Sequence, residues 1–221
     1  CNVLDGTPYV TFSANAAQTF KLKKENYFPS NIEYSVGTGD WKTLEADKEI
    51  PFGGDKGNLQ LRATDNLNGT ASGDSNFSQI IFGNNTKVAC TGDIRTLLDY
   101  RDFKNVSTSD ARFCGLFSGC TVLTSAPDLP ATTLAEDCYK NMFTGCTNLT
   151  SVTMLAPSDQ ISEGHFADWL ESAGIDAASR TLILKDAAAY NALVNKNYLP
   201  NNWKKRAAGT TVLNASNNPI E

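Results

Sequence analysis

The 221-residue chain has little of what an enzyme or a metal centre requires. It contains one histidine, His165, no Cys-x-x-Cys pair, and no glycine-rich phosphate loop followed by Lys-Ser or Lys-Thr. A nucleophilic triad needs a histidine beside a nucleophile and a carboxylate, and a Cys/His zinc site needs clustered ligands. We interpret His165 as a surface or cap residue, and we predict no catalytic residue, no metal and no cofactor. The paired carboxylates of a sugar hydrolase can be distant in sequence, so an unrecognised hydrolase stays open as a less favoured alternative.

The chain also lacks a block of positive charge and a long apolar run. Its formal net charge is −5, and Lys204-Lys205-Arg206 is its only basic run. Nucleic-acid binding depends on clustered cations that neutralise phosphates, so we interpret this run as solvated and predict no nucleic-acid partner. No stretch approaches the roughly 20 apolar residues that span a bilayer. Hydrophobic residues nevertheless make up 41% of the chain, which is enough for ordinary buried cores.

The first residue is a cysteine, followed by Asn2 and the flexible stretch 5–8, Asp-Gly-Thr-Pro. A mature bacterial lipoprotein carries its lipid on such a cysteine. The pattern therefore predicts lipidation at Cys1, membrane attachment only through that anchor, and a location at the cell surface, as an outer-membrane lipoprotein, or outside the cell. The alternative is that the boundary of the chain is arbitrary.

Residues 1–100 show the alternation that is typical of half-buried β-strands. Ile32, Tyr34 and Val36 alternate with polar residues, and the pattern resumes at 41–44 after a glycine-rich break, which predicts a hairpin. Similar short segments are present at 20–22, 59–63, 79–82 and 87–90. The spacing predicts an antiparallel, immunoglobulin-like β-sandwich over 1–100, with 64–78 as a polar loop.

Trp41 continues the alternation of the second hairpin strand. We therefore expect its ring to fill the core of the sandwich. The alternative is an aromatic platform for glycans, built from Trp41, Tyr34 and Tyr27.

An internal repeat of 26 residues follows, in which 113–125 matches 139–151. The positions that recur identically are Phe117/Phe143, Gly119/Gly145, Cys120/Cys146, Thr121/Thr147, Leu123/Leu149, Thr124/Thr150 and Ser125/Ser151. A period of 26 falls within the 20–29 residues of leucine-rich repeats. Each unit predicts a helix ending at Gly119 or Gly145, a buried cysteine, and a short strand around Leu123 or Leu149.

The second predicted domain, 101–221, consists of repeats at about 110–135 and 136–157 and an α/β cap over 158–221. In the cap we expect a helix from Ser162 to Gly174, a strand at 181–184, a helix capped by Asp186, and a frayed polar end over the last dozen residues. Because two repeats cannot bury a solenoid core alone, the cap is needed for stability.

Five cysteines beyond Cys1 are predicted to be buried, reduced thiols; they are Cys90, Cys114, Cys120, Cys138 and Cys146. Cys120 and Cys146 could also be nucleophiles. Their identical positions in the two repeats favour a packing role, since a scaffold rarely duplicates a catalytic residue.

The stretches 116–135 and 138–149 closely resemble BspA-like leucine-rich repeats of surface and secreted proteins from gut and oral anaerobic bacteria. The stretches 32–36 with Trp41, and 87–98, resemble the β-sandwich that often precedes such repeats. The resemblance implies adhesion or ligand binding at the cell surface, with no known chemistry.

These observations together predict a non-catalytic, cell-surface or secreted binding module that recognises a host protein or glycan. The alternative is a structural or receptor-binding component of a larger assembly, such as a bacteriophage particle. We expect the ligand to contact small polar side chains on one face of the repeat strands. These are Thr124 and Thr150, with Thr121, Thr147 and Asn148 at the rims.

Overall fold

The computed structural model describes residues 6–221, so the predicted lipidation site at Cys1 lies outside the described residues. The described chain is a mixed α and β structure made mostly of sheets, with few and short helices, which confirms the predicted class. The helices are α1 (Thr96–Asp99), α2 (Glu163–Phe166) and α3 (Ala187–Asn195). The strands are β1 (Val10–Ser13), β2 (Gln18–Glu25), β3 (Ile32–Val36), β4 (Lys42–Thr43), β5 (Ile50–Phe52), β6 (Leu59–Ala63), β7 (Ala71–Gly73), β8 (Asn76–Phe82), β9 (Val88–Thr91), β10 (Leu123–Ser125), β11 (Ser151–Met154), β12 (Arg180–Leu184) and β13 (Thr210–Leu213).

The strands form three sheets. A six-stranded sheet has the order β10-β9-β1-β6-β3-β4, and a four-stranded sheet has the order β5-β2-β8-β7. Neighbouring strands in both are antiparallel, except that β10 lies parallel to β9. The third sheet, β11-β12-β13, is parallel throughout.

The two larger sheets share one hydrophobic core. The ring of Phe12 in β1 lies 5.5 Å from that of Phe20 in β2 and 5.6 Å from that of Phe82 in β8, measured between centroids. In β6 the buried residues alternate with the partly exposed Gln60 and Arg62. The period of two that predicted these strands is confirmed, because the same alternation separates the core side of β6 from its outer side.

Two expectations for the front part are wrong. The segment 64–78 is not simply a loop, because it contains β7 and the start of β8, and Ala71 and Ser78 are buried there. Trp41 does not fill the core. It precedes β4, is partly exposed, and packs under the guanidinium of Arg62 on the outer side of the six-stranded sheet.

The repeat segments 113–119 and 139–145 are stacked turns, so the predicted helices ending at Gly119 and Gly145 are wrong. Every second amide leaves its own turn and donates to a carbonyl of the next turn along the chain. The first turn donates from Phe113, Gly115, Phe117 and Gly119 to Cys138, Lys140, Met142 and Thr144 at 2.7–2.9 Å; the second donates from Tyr139, Asn141, Phe143 and Gly145 to His165, Ala167, Trp169 and Glu171 at 2.9–3.0 Å.

Left-handed residues explain why these turns are not helices. Gly115 and Gly119 have φ of +66° and +76°, and their counterparts Asn141 and Gly145 have φ of +55° and +74°. An α-helix keeps each amide pointing along its own axis, whereas a residue with positive φ turns the peptide plane away from that axis. Two such residues in each turn therefore interrupt the helix and direct alternate amides toward the next turn.

The third turn of this stack ends it. The predicted helix from Ser162 to Gly174 is only α2, after which the chain continues as turns. The amides of Ala167, Trp169 and Glu171 donate within this turn, while the carbonyls of the same residues accept from the second turn. The third turn therefore accepts the hydrogen bonds of the second turn, while these three amides are used within the third turn and do not extend the stack.

The C-terminal elements β12 and α3 are confirmed, and the Asp186 side chain accepts a hydrogen bond from the amide of Ala189 at 2.9 Å, as expected of an N-cap. The expected fraying of the last dozen residues is wrong. Strand β13 lies there, and Ile220 is buried and donates from its amide to the carbonyl of Val212 at 3.1 Å.

The six-stranded and three-stranded sheets meet at β10 and β11. The amide of Thr150 donates to the carbonyl of Thr124 at 2.8 Å, and the amide of Ala126 donates to the carbonyl of Ser151 at 3.2 Å. Backbone bonds therefore continue from β9 through β10 to β13. The predicted domain boundary at residue 100 stays a prediction, and the front sheet includes β10 from beyond that boundary.

Candidate binding site

The five residues predicted to bind a ligand lie together along the start of β10 and of β11. Thr121 is exposed and the other four are partly exposed. Asn148 donates from its side chain to the carbonyl of Thr121 at 2.7 Å, the Thr150 hydroxyl to the carbonyl of Thr124 at 2.6 Å, and the Thr124 hydroxyl to the carbonyl of Val88 at 3.1 Å. The hydroxyls are thus held in place by the backbone, and their oxygen lone pairs remain as acceptors.

The structure extends this site with small hydroxyl residues that the sequence reasoning missed. Ser151, Thr181 and Thr211 lie opposite one another on β11, β12 and β13, and Ser125 lies next to them on β10. They are partly or fully exposed, while their strand neighbours Val152, Leu182 and Val212 are buried. We call Ser125, Ser151, Thr181 and Thr211 the hydroxyl row.

The repeat contains half of the hydroxyl row, Ser125 and Ser151, but gives no signal for the other half. Thr181 and Thr211 belong to strands whose sequences do not match the 26-residue unit, so only the parallel register aligns them. The available signal was alternation in 180–184 and 210–213, where apolar residues face inward every second position.

A carboxylate lies beside the face of this sheet. The Thr153 side chain forms a hydrogen bond with Asp128, and Asp93 lies near Asp128 across a parallel bridge. Desolvation raises the pKa of Asp128, and the negative charge of Asp93 raises it further. Arg95 holds Asp93 through an ion pair of 2.7 Å. The arrangement therefore offers hydroxyls and a carboxyl group, which are suited to hydrogen bonding with a polar ligand.

His165, the only histidine in the chain, is partly buried at the start of the third turn. Its Nδ1 lies 2.5 Å from the carbonyl oxygen of Gln160, and a carbonyl can only accept, so Nδ1 carries the proton. This hydrogen bond fixes the ring against its own backbone segment. The ring is thereby held in a structural contact at the end of the stacked turns.

A second group of side chains lies on the outer side of the six-stranded sheet. The guanidinium carbon of Arg62 lies 4.1 Å from the ring centroid of Trp41 and 4.3 Å from that of Tyr100. The ring of Tyr9 meets Trp41 edge-on at 5.0 Å, and Arg62 pairs with Glu33 at 2.8 Å. We call these five residues the aromatic cluster.

The five cysteines within residues 6–221 are buried and unbonded to one another, as predicted. Cys120 donates from its thiol to the carbonyl of Ile80 at 3.1 Å, and Cys146 donates to the carbonyl of Phe117 at 3.0 Å. Burial raises the pKa of Cys120 to about 12 and that of Cys146 well above its usual range. The neutral thiol is therefore the form present at neutral pH, and it is a poor nucleophile.

We expect the five buried thiols to be almost unreactive in the native protein. In a Cys1→Ser variant, titration with a thiol reagent at pH 7.5 should give little signal before denaturation and five groups after it, with no reductant added. Fast labelling of Cys120 or Cys146 in the native state, or fewer than five thiols in denaturant, would contradict this expectation.

Comparisons with protein-family models, with curated proteins and with solved structures found no match for this chain. Within residues 6–221, no helix has the length and apolar character needed to cross a membrane. The same described range contains no group of three or more His, Cys, Asp or Glu residues placed to hold a metal ion.

Proposed function

We propose that this protein is a non-catalytic binding module, displayed at the cell surface or secreted, that recognises a host protein or glycan. The observation that carries the proposal is the hydroxyl row together with the neighbouring Thr124 and Thr150. The hydroxyls of Thr124, Thr150 and Ser125 are held by hydrogen bonds to backbone carbonyls. Ser151, Thr181 and Thr211 are small, partly or fully exposed side chains on strands whose alternate residues are buried. A ligand that meets such a surface forms hydrogen bonds without first ordering long side chains, which lowers the entropic cost of binding.

We further propose a finer description of the fold: a β-sandwich followed by a short leucine-rich-repeat segment of the BspA-like type. The shared core of the two larger sheets supports the first part. The stacked turns at an interval of 25–26 residues, with Cys120 and Cys146 at equivalent positions, support the second. In repeat proteins of this kind each unit contacts its neighbours and one face of the stack binds partners.

The proposed face is small, so we expect weak monovalent binding. Interfaces well below about 1,200 Å² rarely offset the loss of rotational and translational freedom, and micromolar or weaker dissociation constants are typical. A lipid anchor at Cys1 would display many copies on one cell. Multivalent attachment would then raise the overall affinity without a larger contact surface.

The combined substitution Thr124→Arg and Thr150→Arg should weaken binding at least tenfold. Two long cations would cover the face and remove both hydroxyls, while the buried side chains of β10 and β11 stay unchanged. The measurement is binding of the full chain to a glycan array and to immobilised host-matrix proteins.

The matched control is Thr132→Arg with Thr133→Arg, because these two threonines are exposed elsewhere on the chain. Both double variants should keep a cooperative thermal transition. Equal loss in the two variants, or no loss in either, would contradict the proposed site.

A further inference from the structure

The aromatic cluster of Trp41, Tyr9, Tyr100, Arg62 and Glu33 shares no residue with the hydroxyl row. We propose that it is a second binding site, for a neutral polysaccharide. The assignment rests on the proposed binding function and names a ligand class for this part of the sheet. It follows from the placement of the rings, from the balance of charge, and from the polar surface beside the cluster.

The rings are held rigidly at a partly exposed position. Arg62 lies over the Trp41 and Tyr100 rings, and Tyr9 meets both rings edge-on, at 5.0 Å from Trp41 and 5.8 Å from Tyr100. Cation–π and edge-to-face contacts of this kind are favourable, so the cluster is ordered before a ligand arrives. Tyr9, Trp41 and Tyr100 nevertheless remain partly exposed, although aromatic side chains this large are usually highly buried.

The charges of the cluster cancel. Arg62 donates from Nε to a carboxylate oxygen of Glu33 at 2.8 Å, and these two residues lie opposite each other on β6 and β3. A neutral ion pair has no net attraction for an anionic ligand, but it still offers donors on Arg62 and acceptors on Glu33. The hydroxyl groups of a sugar both donate and accept, so one sugar unit can use both halves of this pair.

Aromatic rings supply the other half of sugar recognition. The C–H groups on one side of a pyranose ring carry partial positive charge, and the faces of Trp and Tyr rings are negative. Arg62 covers one face of the Trp41 ring, so the proposed sugar contact is with the part of this ring that remains exposed. Binding sites for small ligands commonly combine ring surfaces with a few fixed polar groups, and the aromatic cluster contains both. The class of ligand that matches these features is a polyhydroxylated, uncharged ring.

The surface beside the cluster favours a chain of sugars over a single unit. Gln60 and Thr11 lie on the same outer side of the sheet as Arg62, opposite each other on β6 and β1. The Gln60 side chain lies 3.5 Å from the Thr11 hydroxyl and retains further donors and acceptors. A polysaccharide bound at the rings can therefore continue across the polar strands toward β9.

The intrinsic fluorescence of the protein gives a direct readout, because Trp169 and Trp203 are 0% exposed and Trp41 is the partly exposed tryptophan. We would titrate the full chain with hydroxyethyl cellulose, mannan and dextran, and repeat the test by affinity electrophoresis. We expect at least one of the three to shift the emission and retard the protein. Trp41→Ala should weaken that binding at least tenfold, and Ile175→Ala, which removes a side chain that is 59% exposed, should not.

A second variant separates binding from folding. Glu33→Gln leaves the Arg62 cation unpaired, so affinity for the neutral polysaccharide should fall at least threefold while retardation by heparin increases. The greater retention on heparin follows from the added positive charge alone, so the discriminating result is weaker binding of the neutral polysaccharide at an unchanged melting temperature, which a purely structural role would not give. Unchanged melting temperatures for Glu33→Gln and for Tyr100→Phe would show that the rings remain in place.

The outcomes distinguish this inference from the broader function. No binding to any of the three neutral polysaccharides, or wild-type binding by Trp41→Ala, overturns the site at the aromatic cluster. If binding to another array ligand is then lost in the Thr124→Arg, Thr150→Arg variant, the proposed function stands without it. If no array ligand or matrix protein binds at all, the proposed function fails as well.

Discussion

Replacing Arg180 with alanine should lower the free energy of unfolding by about 3–5 kcal/mol. Arg180 is 7% exposed, and its guanidinium donates to four backbone carbonyls and one hydroxyl. Its partners are the carbonyls of Gly174, Ala177, Asn202 and Ala208 and the hydroxyl of Thr210, at 2.6–3.0 Å. Each buried polar group that loses its partner costs about 1–3 kcal/mol, of which water entering the space recovers a part.

Arg180→Lys should recover little of this loss. A lysine keeps the charge, but it has three donors on one atom and cannot reproduce the planar fork that reaches 174–177 and 202–210 together. Arg206→Ala is the matched control, because Arg206 is exposed, and it should change stability by less than about 0.5 kcal/mol. Denaturant unfolding followed by tryptophan fluorescence measures all three. A lysine variant as stable as the wild type would show that charge alone, and not the fork, holds this end of the chain.

Arg180 also shows why part of the fold could not be predicted from the sequence. The pattern at 181–184 predicts a strand, and the strand is there. The sequence around 181–184 does not indicate that the preceding Arg180 is a buried cation, because three of its five partners, Asn202, Ala208 and Thr210, are 22–30 residues away along the chain. Alternation identifies which face of a strand is buried, but it does not identify a side chain that satisfies carbonyls of other segments.

The repeats illustrate the opposite case, where the sequence predicted the period but not the conformation. The 26-residue offset and the left-handed position after each repeat turn are both present, at Gly119 and Gly145. The predicted helices fail because Gly115 and Asn141, four residues earlier, are left-handed as well. Glycine at 115 and asparagine at 141 were the available signal, since both residue types tolerate positive φ.

Of the two candidate sites, one could be predicted from the sequence and the other could not. Thr124 and Thr150 could be placed together from the repeat, since equivalent positions of stacked units lie side by side. The aromatic cluster could not, because Tyr9, Arg62 and Tyr100 come from three separate segments. The alternation predicted that Trp41 lies in the core. Instead, its ring packs against the guanidinium of Arg62 on the outer side of the sheet, where it remains partly exposed.

Phe117→Ala and Phe143→Ala should each destabilise the protein by about 3–5 kcal/mol. Both rings are 0% exposed, and they occupy equivalent positions in successive turns with centroids 5.5 Å apart and planes 13° apart. Truncating a buried phenylalanine removes its burial and leaves a cavity that the surroundings fill only in part. The double variant should lose less than the two single losses combined, by about 0.5–1.5 kcal/mol, because either substitution alone already removes the contact between the rings.

Phe117 should also affect the front sheets, and this separates it from Phe143. Its ring lies 6.2 Å from that of Phe12 in β1, so a cavity at 117 opens toward the core shared by the two larger sheets. In a Trp41→Phe background, the buried Trp169 and Trp203 report on the stacked turns and the C-terminal part, and hydrogen exchange of β1 and β9 amides reports on the front. Phe117→Ala should speed exchange in both regions, whereas Phe143→Ala should act mainly on the stacked turns. Two results would contradict this account. One is that the losses in the free energy of unfolding are additive in the double variant. The other is that both variants speed the exchange of β1 amides equally.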